Sequence, residues 1–141
     1  LGDVYKRQIC YEGLYGDFYG DFVRRGAQFM AIISNDGWWG DTPGYKHLFT
    51  ISRLRAIEHR RAIARSANTG MSGFISARGD IGETLGWEKR GVISAAVPLN
   101  SELTFYTRYG DYLGRIAEYL TLLCVLYYIA YRVKKKNYLV K

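Results

Sequence analysis

A cysteine stands at what the sequence predicts to be the exit of a β-strand. In ICYEGLYGDF, residues 9–18, Cys10 comes before a glycine-rich turn and a candidate helix, and Tyr11 and Glu12 follow it directly. A tight turn exposes a side chain, and a helix N-terminus stabilises a thiolate. The pattern makes Cys10 a candidate nucleophile. A strand cysteine that is simply packed, followed by an acid solvated in a turn, gives the same pattern, so the motif alone leaves both interpretations open.

A second candidate site is the loop NDGWWGDTPG, residues 35–44, which follows a short apolar run. Two adjacent tryptophans between glycines are costly to expose without a use, and in parallel α/β folds such strand-end loops form the site. Trp38 and Trp39 are therefore candidates to line an apolar pocket or to rest on a bilayer surface. The alternative is that they cap the core. Asn35 and Asp36 are expected to shape the loop through side-chain hydrogen bonds to the backbone.

The elements that must position these residues give an α/β pattern of strand, helix, strand, long helix, strand, strand. Apolar runs predict helices at residues 21–28 and 45–66 and strands at residues 29–34, 70–77 and 91–99. Turn formers predict a turn at residues 77–83, directly after the strand at 70–77. Residues 1–8 show no strand period, although a strand should lead into Cys10. We interpret them as a non-native or mis-joined leader to a domain that spans residues 9–108.

The segment from residue 113 to residue 133 is almost wholly apolar or aromatic. As a helix of 21 residues it would be about 31 Å long, close to the thickness of the bilayer hydrocarbon. Tyrosines cluster toward its ends, and three lysines follow at once. These features predict a transmembrane helix at 113–133 and a basic cytoplasmic tail at 134–141. An amphipathic or buried C-terminal helix is the alternative.

Charge and cysteine usage exclude several other classes of protein. The net charge is +7, but five of those charges lie in residues 132–141, which leaves +2 for residues 1–131 and argues against a nucleic-acid partner. Cys124 lies within the predicted span, so a disulfide with Cys10 is not expected. The two histidines have no third ligand in pattern. We predict neither a metal nor a cofactor.

Four stretches of the sequence resemble one family of enzymes, the apolipoprotein N-acyltransferases. These stretches are ICYE, GAQFMAIISNDGWWGDTPGYKHL, RLRAIEHRRAIARSANTGMSGFI and YTRYGDYLG, at residues 9–12, 26–48, 53–75 and 106–114. The family consists of integral membrane enzymes with a nitrilase-like (carbon–nitrogen hydrolase) domain on the extracytoplasmic face. The resemblance covers residues 9 to 133, with the motifs in the family's order.

The resemblance implies the C-terminal half of an α-β-β-α sandwich, followed by one transmembrane helix. It implies a Glu–Lys–Cys catalytic set in which Cys10 is the nucleophile and Glu12 supports the site, with Tyr11 between them. Trp38 matches a loop tryptophan tied to activity, and Trp39 falls where the family has an aromatic residue. The general-base glutamate and the lysine lie upstream of the cysteine in this family. The chain therefore lacks both, and we expect it to be inactive alone.

The reaction implied by the resemblance takes an acyl chain from a membrane phospholipid to the N-terminal diacylglyceryl-cysteine of a bacterial lipoprotein, through a cysteine thioester. The partners implied are the phospholipid donor, the lipoprotein acceptor and the bilayer. The implied location is the bacterial inner membrane, with the catalytic domain on the periplasmic face and the C-terminus in the cytoplasm.

Two other functions remain open from the sequence. One is a nitrilase-like amidase that hydrolyses small C–N substrates, and the other is a membrane-anchored binding segment without catalysis. Glu58 and the arginines of residues 53–65 are predicted to form a structural ion-pair network rather than catalytic parts.

Overall fold

The computed structural model describes the backbone of residues 5–139 and the side chains of residues 7–135. The chain divides into a first unit that ends at Gly110 and a second that begins at Asp111. The first four residues of the predicted leader and the last two of the predicted tail lie outside the described residues.

The first unit is a five-stranded mixed sheet with three helices. In chain order its elements are β1 (Tyr5–Ile9), a 3-10 turn (Cys10–Leu14), α1 (Gly16–Arg24), β2 (Phe29–Ser34), a 3-10 turn (Gly37–Trp39), α2 (Pro43–His59), β3 (Ile63–Ala67), β4 (Ser72–Ile75), β5 (Ile81–Leu85) and α3 (Phe105–Tyr109). The strands lie in sequence order. Because helices connect the first three strands, β1, β2 and β3 are parallel, whereas short loops make β4 and β5 antiparallel.

The core lies between one face of the sheet and the helices. Alternate residues of β2 face it, with Met30 and Ile32 buried, while α1 contributes Tyr19 and Val23 and α2 contributes Phe49. This alternation is the period of a strand with one covered face.

The opposite face of the sheet is open. Ile33, which points there from β2, is 50% exposed. A groove of about 560 Å³ runs over this face, lined by residues of β2, β3, β4 and the segment after β5. A sheet with one helix-covered face and one open apolar face is half of a layered sandwich.

The structure confirms the α/β class and the strand at residues 29–34, but it corrects the long helix predicted at 45–66. That helix ends at His59, where Arg60 turns into the left-handed conformation, and a separate strand, β3, follows. Ile63 and Arg65 are buried with a partly exposed residue between them, which is a strand period. The sequence had assigned both to the helix.

Other boundaries also differ. The helix predicted at 21–28 spans Gly16–Arg24, the strand predicted at 70–77 is limited to Ser72–Ile75, and the predicted turn at 77–83 runs into β5. The stretch 91–99, predicted as a strand, has no regular secondary structure. Strand β1 begins at Tyr5, so the domain boundary predicted at residue 9 falls inside a strand.

The second unit is a single helix, α4, at Tyr112–Leu139. Its segment Tyr112–Lys135 has a mean hydropathy of 1.4 in its most apolar window, none of which is buried. By length and composition it is a candidate membrane span, and it contains the predicted span at 113–133.

Candidate active site

The two motifs of the sequence meet at one edge of the sheet. Ile9 of β1 is in register with Ile33 of β2, and Ile33 with Ser66 of β3. Because these strands are parallel, the residues that follow them emerge side by side. Cys10 follows β1 and Asn35 follows β2, so the predicted cysteine motif and tryptophan loop are neighbours.

Cys10 is a free, partly buried thiol on a strained turn. Its φ is +50°, in the left-handed region that residues other than glycine seldom adopt. Directly before it, Ile9 is extended. The chain therefore turns sharply at the cysteine into a 3-10 turn, and helix α1 follows at Gly16, in the order that the sequence predicted. Strain of this kind collects at functional sites, where the surrounding structure holds it.

Glu12 closes the turn that carries Cys10. Its Oε2 accepts a hydrogen bond from the backbone N–H of Ile9 at 2.8 Å. The carbonyl of Glu12 accepts another from the N–H of Tyr15 at 3.3 Å. Glu12 is therefore not a free solvated acid, because its carboxylate fixes the backbone immediately before the cysteine.

The two tryptophans differ in exposure. Trp38 is 83% exposed and Trp39 is 37% exposed. The ring of Trp39 lies 6.4 Å, between centroids, from that of Tyr11 and covers Gly44, where a β-carbon would come within 2.5 Å of Trp39 Cε3. The alternative that both tryptophans cap the core is wrong for Trp38. Trp39 connects the loop to the residue beside Cys10.

Side chains at the base of the loop hold it to β3. Asn35 Oδ1 accepts hydrogen bonds from the N–H of Gly37 at 3.2 Å and from Asn68 Nδ2 at 2.8 Å. Asp36 is fully buried and forms an ion pair with Arg65 of β3. The sequence pointed to Asn35 and Asp36 but not to this pair. The signal that could have revealed it is the two-residue spacing of Ile63 and Arg65, which is typical of a strand with both side chains on its buried face.

The groups with shifted pKa values lie at the junction of α1, α2 and α3. Burial, reinforced by Arg55, lowers the pKa of His59 to about 4, and its Nδ1 lies 2.8 Å from Thr107 Oγ1. Burial also raises the pKa of Glu58, which pairs with Arg55 at 2.7 Å. The ion pair predicted for Glu58 is present, and the cluster joins three helices.

Metal ligands do not converge in the part of the chain that the structure describes. No three histidine, cysteine, aspartate or glutamate side chains lie together there.

The model of the carbon-nitrogen hydrolase family matches residues 4–103. The apolipoprotein N-acyltransferase of Chlorobaculum tepidum is 46% identical over 103 residues, which are 73% of this chain and 19% of that protein. The enzyme of the same name from Bdellovibrio bacteriovorus is 36% identical over 84% of this chain and 21% of its own length.

Among solved structures, Saccharomyces cerevisiae Nit3, of the nitrilase superfamily, superposes with a TM-score of 0.51 at 20% identity, over 61% of this chain and 34% of that one. The likeness shows the fold. The chain spans about a fifth of the length of the curated relatives it matches.

Proposed function

This chain belongs to the carbon-nitrogen hydrolase family, and from that premise we propose that the full-length protein carrying it N-acylates bacterial lipoproteins, with Cys10 as the nucleophile. Its similarity to apolipoprotein N-acyltransferases supports the reaction class. The observation that carries the residue assignment is the strained turn at Cys10, at the sheet edge where the tryptophan loop also emerges.

The reaction proceeds in two steps. The Cys10 thiolate attacks the carbonyl carbon of a phospholipid ester, the ester C–O bond breaks, and a lysophospholipid leaves after its alkoxide takes up a proton. The acyl group is then held as a thioester. The α-amino group of the lipoprotein's diacylglyceryl-cysteine attacks that carbonyl, the C–S bond breaks, and an amide and the free thiol result after the amine loses its proton.

The residues of this chain would serve to present the sulfur. Glu12 holds the backbone before Cys10, and Tyr11, the residue after Cys10, packs against Trp39. The general-base glutamate and the lysine of the resemblance are expected upstream of this chain, so we propose that these 141 residues are inactive alone.

The exposed aromatic side chains near the turn suit lipid-anchored substrates. Trp38, Tyr11 and Tyr15 are all exposed large side chains, and Tyr11 directly follows the nucleophile. Aromatic rings of this kind favour the bilayer interface. We therefore place the substrates' acyl chains at this edge of the domain.

The acyl-enzyme is the test of this function. The full-length protein in detergent is incubated with phospholipid alone, and the mass of the peptide containing Cys10 is measured. We expect an adduct of one acyl chain on Cys10, cleared by a diacylglyceryl peptide and absent from the Cys10→Ala and Cys10→Ser variants. An active Cys10→Ala variant would exclude this nucleophile. An adduct that water clears as fast as the amine would favour the amidase alternative.

Charge and hydropathy support a location in the membrane. A span at Tyr112–Lys135 followed by lysines predicts a cytoplasmic C-terminus and a periplasmic first unit in the inner membrane. In intact spheroplasts that express a variant with Cys10→Ala, Cys124→Ala and no other cysteine, a cysteine introduced at Ser101 should react with a membrane-impermeant maleimide, whereas one at Lys141 should react only after permeabilisation. The opposite pattern would reverse the orientation.

A further inference from the structure

The residue at which β2 turns into the tryptophan loop is locked by a buried ion pair. Asp36 is fully buried, and Arg65 reaches it from β3 with Nη2 3.0 Å from Oδ1 and Nη1 3.0 Å from Oδ2. Ser34 Oγ donates a further hydrogen bond to Asp36 Oδ1 at 2.5 Å. A bidentate contact between a planar guanidinium and a carboxylate fixes the relative orientation of the two groups as well as their distance.

The segment after β3 closes over this pair. Arg65 Nη1 also donates to the carbonyl of Met71 at 2.5 Å, and Asn68 Oδ1 accepts from the N–H of Asp36 at 3.2 Å. A β-carbon on Gly70 would collide with Oδ2 of Asp36. The carboxylate is therefore held from both sides and has no room to rotate.

From Asp36 a short chain of contacts leads to the nucleophile. The N–H of Trp39 donates to the carbonyl of Asp36 at 3.1 Å, and Thr42 Oγ1 donates to the carbonyl of Trp39 at 2.7 Å. The ring of Trp39 then packs between Gly44 and Tyr11, and Tyr11 is the residue after Cys10.

Stability alone does not account for this arrangement. A buried ion pair is often no more stabilising than well-packed apolar side chains of the same volume, because both charges lose their hydration. What the pair supplies is a fixed direction for the loop that leaves β2. We infer that Asp36 and Arg65 are positioning residues, which set the Gly37–Trp39 turn so that Trp39 braces Tyr11 and the turn at Cys10. This inference rests on the proposed function, since it concerns the reactivity of Cys10.

Two variants of the full-length protein disturb the bracing from opposite ends. Arg65→Lys keeps the positive charge but loses the bidentate contact with Asp36. Gly44→Ala displaces the ring of Trp39 without touching the ion pair. Gly86→Ala is the matched control, because a β-carbon at Gly86 meets no atom within 4 Å. Thermal unfolding followed by circular dichroism identifies a temperature at which each variant is folded.

The readouts are kcat and KM for transfer of the acyl chain from phospholipid to a diacylglyceryl peptide, and the rate at which iodoacetamide alkylates Cys10. For Gly44→Ala we expect kcat to fall by about 10-fold to 100-fold with KM little changed, and the alkylation rate to change with it. Arg65→Lys should behave in the same way, and Gly86→Ala should match the wild type. If Arg65→Lys does not fold, Gly44→Ala and the control carry the test.

The outcomes separate this inference from the proposed function. A wild type that forms no adduct on Cys10 contradicts the function itself. A wild type that forms the adduct, together with a folded Gly44→Ala or Arg65→Lys variant of unchanged kcat and alkylation rate, contradicts the positioning role. A loss of thermal stability alone, with the kinetics intact, assigns Asp36 and Arg65 to the fold only.

Discussion

At the scale of single residues, two of the left-handed backbone positions, Arg60 and Cys10, have different causes. Arg60 ends helix α2, and its N–H donates to the carbonyl of Ala56, which is an ordinary helix ending. Cys10 ends no helix, since it breaks away from strand β1 with φ of +50°. The left-handed conformation of Cys10 therefore serves no helix ending, and we attribute it to presentation of the thiol.

This strain gives a prediction about glycine. At an ordinary position, glycine is less stable than alanine, but a left-handed position reverses the order by about 1 kcal/mol. We expect Cys10→Gly to unfold at a higher temperature than Cys10→Ala in the detergent-solubilised protein, while neither forms a thioester. Arg60→Gly against Arg60→Ala is the control, with the same order expected. A Cys10→Gly variant that unfolds at the lower temperature would mean that the turn is relaxed.

Individual residues were predictable from the sequence where their chemistry was local. Cys10 stands out because a thiol, a glycine-rich turn and an apolar strand residue are adjacent, and the tryptophans stand out because apolar rings in a polar loop are costly. The partner of Asp36 was not predictable in the same way. Arg65 lies 29 residues away and meets Asp36 only because β2 and β3 pair in parallel.

At the scale of elements, the period of the sequence misled at the end of α2. Apolar residues at three-residue steps and many arginines continue to resemble a helix past His59. The structure ends the helix there, because buried Arg61 finds carbonyl acceptors at Ala27 and Glu102 instead of continuing the helical turn. Such tertiary partners are invisible to a local pattern, so the residues of β3 were assigned to the helix.

The junction of the three helices predicts a dependence of stability on pH. His59 is buried with a pKa lowered to about 4, and the groups around it are Tyr19, Arg24, Arg55, Glu58, Arg61, Tyr106 and Thr107. The unfolded chain protonates this imidazole near pH 6.5, whereas the folded protein keeps it neutral. Below that pH the unfolded state binds more protons, so stability present above pH 6.5 is lost as the pH falls toward 4.

The loss is expected to approach about 3 kcal/mol as an upper bound. Thermal midpoints at pH 7 and pH 4 measure it, with His59→Gln as the control that should lose most of this pH dependence. Glu58 acts in the opposite direction, because its raised pKa gives stability that is lost as the pH rises through that pKa. A His59→Gln variant with the wild-type pH dependence would show that another group is responsible.

At the scale of the whole molecule, the sheet of the first unit is covered on one side only. The sequence predicted half of a four-layer sandwich by resemblance, and the structure gives a nitrilase-superfamily α/β fold whose second face is open. Strand β2 shows the contrast in adjacent residues, since Ile32 is buried under the helices and Ile33 is 50% exposed. The resemblance implies that a second sheet packs on this face in the full-length protein.

Adjacent substitutions in β2 test that packing. Ile32→Asp places a carboxylate in the helix-covered core and should destabilise the full-length protein severely. If a second sheet covers the other face, Ile33→Asp buries a charge as well, and its thermal midpoint should fall by a similar amount. If that face meets water in the full-length protein, Ile33→Asp should change stability by no more than about 0.5 kcal/mol, as surface substitutions do. Ile33→Val keeps the face apolar, so its thermal midpoint should match that of the wild type closely in either case. A fall in thermal midpoint that is confined to Ile33→Asp therefore reports burial of this face and not a change in strand propensity.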